Sequence, residues 1–185
     1  MMCAMPAVME GPLADLAAWR PTECSIAKAL EVVGTRSALL IMREAYYGTS
    51  RFDGFAARVG ITDAAAAAQL RRLTAAGLLA KQPYQEEGQR TRHEYVLTPM
   101  GRDLLPVVLA LQQWGDRYLQ AGPAPLLLVE EATGDSVRVE VRSSSGAEVE
   151  LEELGVRLNE EFARKRRLRS VEPGGAADDR APEPR

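Results

Sequence analysis

Histidine and cysteine are almost missing from this 185-residue chain: His93 is the one histidine, and Cys3 and Cys24 are the only cysteines. One histidine cannot form a multi-histidine metal site within a chain, and two cysteines make no disulfide framework. No nucleophile–base constellation or metal-ligand cluster stands out, so neither an enzyme nor a cofactor is expected. Lys-assisted or purely carboxylate chemistry is what the composition leaves open. Long apolar runs are lacking as well. A membrane helix needs about 18–20 such residues, and Met1–Pro6 shows no basic segment ahead of an apolar stretch. A cytoplasmic protein with reduced thiols and no membrane partner is expected.

A strong excess of one charge is also absent. Formal net charge is −3, with 46% hydrophobic and 26% charged residues, the profile of a globular chain. The total hides segregation. Residues 1–19 hold Glu10 and Asp15 and no base, residues 20–121 are net +3, and residues 122–185 are net −4. A mildly basic middle lies between acidic ends, so the whole-chain charge argues only weakly against nucleic acid.

Periodicity predicts a short amphipathic segment at Leu13–Trp19, stopped by Pro21. Helices follow at Cys24–Val33, Arg36–Tyr47, Asp53–Arg58 and Ala64–Ala76, punctuated by Gly34, Gly48, Gly60 and Gly77. Thr62-Asp63 is a capping signal for the last of these. The period then changes. Leu78–Tyr84 and His93–Leu97 read as a hairpin around the polar loop Gln85–Arg92. Thr98-Pro99 opens a helix over 100–119, with a kink or break expected at Pro106. Three short helices sharing a small core, with a hairpin beside them, form a winged helix-turn-helix.

After Gly122–Pro125 the composition shifts. Leu126–Glu130, Ser136–Arg142 and Ala147–Leu151 read as strands, with Val137, Val139 and Val141 alternating with charged residues. The expected fold class is α+β: an N-terminal arm with a short helix (1–20), the winged helix-turn-helix domain (21–121) and a β-hairpin extension (126–151). A charged helix (152–169) ending in Arg164–Arg169 and a disordered tail (170–185) complete it. The basic run reads either as extra electrostatic affinity for DNA or as a solvated helix face.

Residues 24–119 resemble the HxlR-type winged-helix transcriptional regulators of the MarR-like superfamily. The likeness is carried by Cys24–Leu30, Gly34–Glu44 (with Leu39-Leu40-Ile41-Met42-Arg43-Glu44), Arg51-Phe52, and Ile61-Thr62. It continues in Gln69–Leu78, Tyr95–Leu105 and Trp114-Gly115. The resemblance implies a homodimer that binds a double-stranded DNA operator and pairs through its N- and C-terminal helices. Three departures stand out: Ser37 replaces the family tryptophan, Gln69 replaces an arginine, and Ala64–Ala68 occupies positions that are polar in the family. The segment 126–151 resembles a zinc-ribbon-like extension of some members but carries no cysteine, so either a metal-free hairpin or an accidental likeness is left.

On Ala64–Ala76, about 100° per residue places Ala66, Leu70 and Leu73 on one face and Ala64, Ala68, Arg71 and Ala75 opposite. That outer face enters the major groove on a DNA-binding reading, with Thr62, Gln69, Arg71 and Arg72 as donors and alanine methyls for thymine. Otherwise the alanines are surface helix formers and direct readout is lost. Arg90 and Arg92 on the wing, and Arg51 ahead of the helix-turn-helix, are candidate DNA contacts; a solvated loop is the alternative for the wing. His93 reads as a wing or packing residue. Cys24 opens a helix, whose N-terminus favours an anion. It is a candidate redox-sensing thiol, or simply a small residue at a dimer contact.

Ile26, Leu30, Leu111, Trp114 and Tyr118, together with Pro106 and Val107, are candidate dimer-interface residues; intrachain core is the alternative. The expected function is a homodimeric, sequence-specific DNA-binding transcriptional regulator, with a small-molecule effector of unknown identity or Cys24 as the regulatory input. The other reading is a winged-helix module for protein–protein interaction or ligand binding, with weak or lost DNA binding.

Overall fold

A computed structural model of the chain describes residues 7–15, 23–85 and 91–164. They fall into two compact units, one within 23–140 and one formed by the two ends, up to 22 and from 141. The expected extension 126–151 is therefore divided between the units.

The larger unit holds α1 (Ser25–Val33), α2 (Arg36–Tyr46), α3 (Phe52–Val59), α4 (Asp63–Ala75), β2 (Leu79–Tyr84), β3 (Arg92–Leu97), α5 (Pro99–Asp103) and α6 (Leu105–Tyr118). Threonines start three of the helices. The side-chain oxygens of Thr35, Thr62 and Thr98 accept from the backbone N–H groups of Ala38, Ala65 and Gly101 at 3.2, 3.2 and 3.0 Å, satisfying donors a helix start leaves open. Gly60 ends α3 in the left-handed region at φ +69°, where a side chain would be strained. The turn from α3 to α4 is thereby only a few residues long.

Phe55, Ile41, Met42, Leu70 and Leu73 are fully buried at the meeting point of α2, α3 and α4, and Leu78 and Leu79 add the start of the wing. Each such side chain contributes about 1.5–3 kcal/mol of hydrophobic stabilisation. Tyr95 of β3 meets Phe55 edge-on at 6.1 Å between ring centroids. The wing is antiparallel, with Leu79 opposite Leu97 and Tyr84 opposite Arg92.

The expected disruption at Pro106 is a complete break: α5 stops at Asp103, and α6 begins at Leu105 with the proline in its first turn, where its missing N–H costs nothing. Gly101 lies where α5 crosses the wing. A Cβ there would come within 2.1 Å of the Leu78 carbonyl oxygen. Thr98 Oγ also donates to the Gly77 carbonyl at 2.5 Å, and Tyr46 Oη donates to the Gly101 carbonyl at 2.6 Å. These bonds join α2, α4, α5 and the wing.

The strands expected at 126–130, 136–142 and 147–151 do not form ladders. The single bridge Val129↔Ser136 closes one loose hairpin in the larger unit, and Arg142↔Glu148 closes another in the smaller. Val139 shows why the alternating valines do not extend into a strand: its backbone N–H and carbonyl are taken by the Gln113 side-chain amide of α6, at 2.5 and 3.3 Å.

In the smaller unit β1 (Val8–Met9) pairs in parallel with β4 (Gly155–Val156), and Arg157 donates from Nε and Nη2 to the two carboxylate oxygens of Glu10. The expected continuous helix over 152–169 is a correction too. Leu151–Glu153 is one 3-10 turn, β4 interrupts, and helix resumes only at 160–164, capped by Asn159 Oδ1. The rest of the basic run and the tail 170–185 lie outside the described residues, as does most of the expected Leu13–Trp19 helix.

Candidate nucleic-acid interface

The α4 helix is held in place from behind by Ala66, Leu70 and Leu73, all fully buried. Its outward face is Ala64, Ala65, Ala68, Arg71, Arg72 and Ala75, all exposed, as the 100° spacing predicts. The result is a low ridge of methyl groups flanked by two guanidinium groups. Such a ridge can approach a groove floor closely, touch thymine methyls, and donate to guanine edges or phosphates. Arg72 also reaches back to the Glu31 carbonyl at 3.4 Å, tying α4 to the end of α1.

Gln69 is a correction. Expected as a base-reading donor, it is only 6% exposed and lies on the core side of α4. Its Oε1 accepts from the Thr35 hydroxyl at 3.4 Å, and its Nε2 is buried without a partner. Position 69 is three residues after Ala66 and four before Leu73, and this spacing places it beside the core despite its polarity. Thr62 is exposed at the start of α4, but its oxygen already serves as the helix cap.

The wing supplies a second cationic feature. Arg51 precedes α3, pairs with Glu94 of β3 through an isolated bridge, and places its guanidinium 4.9 Å from the Tyr84 ring centroid. The Tyr95 N–H donates to the Ser50 carbonyl at 2.8 Å, fastening wing to helix. Between them lies an open cleft of about 520 Å³ lined by Arg51, Asp53, Lys81, Tyr84, Arg92 and His93, among others. Three arginine or lysine cations face one carboxylate there, a balance suited to phosphate. Lys81 and Tyr84 were not anticipated; strand alternation sets them on opposite faces of β2, and only the folded wing brings both to one cleft. Arg90 lies outside the described residues.

An ion-pair cluster around one buried carboxylate ties α2 to α3. Glu44 of α2, 2% exposed, accepts from Arg43 at 2.5 Å and from Arg58 of α3. Burial pushes its carboxyl upward, but hydrogen bonds and charge from Arg58 and Arg43 outweigh that and hold it below the usual carboxylate range.

The expected pairing residues are exposed: Ile26 at 71%, Leu30 at 56%, Leu111 at 51%, Trp114 at 54% and Tyr118 at 59%. Val107 joins them, giving a 107, 111, 114, 118 seam whose spacing alternates four and three, the period of helix-to-helix packing. Cys24 is half-buried at the start of α1 and is the one free cysteine among the described residues; Cys3 lies outside them. No group of three metal-ligating side chains, and no helix long and apolar enough to cross a membrane, occurs among the described residues.

The profile of the HxlR-like helix-turn-helix family matches residues 32–123. An HTH-type transcriptional regulator of Mycobacterium tuberculosis, Rv3095, is 41% identical over 109 residues, covering 59% of this chain and 68% of that one. The chain belongs to the HxlR-like helix-turn-helix family. Structural neighbours agree. PA1607, described as a candidate transcription factor, superposes with a TM-score of 0.67 at 31% identity over 75% of this chain and 96% of its own. PA1374 of Pseudomonas aeruginosa, also described as a candidate transcription factor, gives a TM-score of 0.54 at 35% identity, covering 77% and 99%. In both cases the likeness extends over more of this chain than the residues matched by the family profile. Within the matched residues, α3 and α4 form the helix-turn-helix and β2–β3 the wing.

Proposed function

We propose that this HxlR-like protein is a homodimeric, sequence-specific DNA-binding transcriptional regulator. The carrying observation is the outer face of α4, unobstructed, rigidly backed and edged by Arg71 and Arg72. The wing cleft adds Arg51, Lys81 and Arg92 in the same compact unit. Phosphate contacts supply most of the affinity, while a short methyl-rich ridge limits base discrimination to a few positions. Exposed apolar residues on α1 and α6 supply the pairing surface, so that two α4 helices meet half-sites about one DNA turn apart. The expected cytoplasmic location belongs to this reading.

An anisotropy titration of the full chain on its own upstream DNA and on a scrambled duplex tests it. Tighter binding to the upstream DNA supports regulation by operator recognition. Equal binding to both would overturn sequence specificity, and binding to neither with an intact fold points instead to an interaction or ligand-binding module.

A further inference from the structure

Away from the α4 ridge, and on the side of α6 opposite its 107, 111, 114, 118 seam, the larger unit contains an open cleft of about 470 Å³ that the DNA-binding reading does not use. Leu97 of β3, Leu105 and Leu109 of α6, and Leu128, Val129 and Val137 of the loose hairpin line it. Its remaining lining is Tyr46, Tyr47 and Arg102. Apolar walls with a few polar groups, at this volume, are the usual make-up of a small-molecule site.

The polar lining groups differ in availability. Tyr46 Oη is committed to the Gly101 carbonyl at 2.6 Å, and burial pushes its phenol up to about 12. Tyr47 Oη donates to Gln112 Oε1 at 3.2 Å and keeps a lone pair to accept with. Arg102 is exposed and makes no ion pair or side-chain hydrogen bond with any described residue. A guanidinium without a carboxylate, at the edge of a hydrocarbon-lined cleft, is complementary to a molecule with one anionic head and an apolar body. The cleft keeps its open form because the hairpin that makes its outer wall is fixed to α6 by the paired Gln113–Val139 hydrogen bonds.

We propose that this cleft binds an amphipathic organic carboxylate, with its head on Arg102 and its hydrocarbon body against the leucine and valine wall. The proposal deepens the regulator reading by giving its effector a chemical class. It is measured without DNA, so its failure and the failure of the DNA-binding reading are distinguishable.

The test is calorimetric titration of the full chain with octanoate, with octanamide as the neutral counterpart and acetate as the head alone. Saturable octanoate binding at about one per chain is expected, with octanamide at least about tenfold weaker and acetate silent. A charge-assisted hydrogen bond of about 1.5–3 kcal/mol corresponds to that factor or more. Arg102→Gln, at an exposed position, is expected to weaken octanoate about tenfold and leave octanamide unchanged. Val129→Glu, which places a like charge in the cleft, is expected to weaken octanoate as well. No saturable octanoate binding, equal affinity for octanoate and octanamide, or an Arg102→Gln protein that binds octanoate like the wild type would each overturn the proposal.

Discussion

Replacing Gly101 with alanine sets two effects of opposite sign against each other. In a helix the substitution favours folding by up to about 1 kcal/mol through backbone propensity. Here the new Cβ would lie 2.1 Å from the Leu78 carbonyl oxygen and 3.1 Å from its carbon, where real Cβ atoms essentially never come within 3.0 Å. Both atoms are backbone, so relief requires α5 and the wing to part by nearly an ångström. Overpacking of this kind costs about 1–3 kcal/mol, and its upper end applies because no flexible side chain can yield. Parting also stretches the Tyr46–Gly101 bond of 2.6 Å, worth about 1 kcal/mol. Net destabilisation of about 2–3 kcal/mol is therefore expected, read by urea unfolding of the full chain. A double-mutant cycle sharpens the result: Tyr46→Phe is expected to cost about 1 kcal/mol alone and little once Gly101→Ala is present. A Gly101→Ala protein as stable as the wild type, or more so, would refute the steric reasoning.

Glu44→Gln is expected to lower stability by about 1–2 kcal/mol at neutral pH, discounted because both arginines are partly solvated. Since the folded carboxyl titrates below its ordinary value, its contribution is full above the unfolded value near 4.5. It is lost as pH falls through the folded value, so wild type and variant are expected to converge in acid unfolding curves. Gln69→Met is expected to leave stability within about 1 kcal/mol, because it removes a buried unpartnered amide along with one long hydrogen bond. DNA affinity is expected to be unchanged; a large loss would restore Gln69 as a reader. If the proposed dimer forms through α6, Leu111→Glu with Trp114→Glu is expected to leave a folded monomer in sedimentation velocity where the wild type sediments as a dimer, since both residues are about half exposed in a single chain.

Most of the winged helix was legible because its signals are local. Threonine caps, glycine stops and the Thr98-Pro99 start act within a few residues, and their elements stand within a residue or two of expectation. The outer face of α4 followed from helical spacing alone. Gln69 was misplaced because its chemistry was weighed above its position, three and four residues from core neighbours. Glu44 gave no signal, since its partner Arg58 lies on another helix and only tertiary packing joins them. The region after 126 was the least legible. Its alternating valines have the period of a strand, but the Gln113 side chain occupies the backbone that a neighbouring strand would need. The cleft beside Arg102 was likewise invisible, being assembled from α2, β3, α5, α6 and that same hairpin.

On the proposed function, the α4 face and its arginines hold operator DNA. The most direct test is anisotropy on the upstream duplex at two salt concentrations, for wild type and for Arg71→Ala with Arg72→Ala. Submicromolar affinity is expected at low salt, with a steep fall as salt rises as counterion release requires, and loss of binding in the double variant. Absence of binding at low salt by an intact dimer, or unaltered affinity and salt dependence without the two arginines, would contradict this reading.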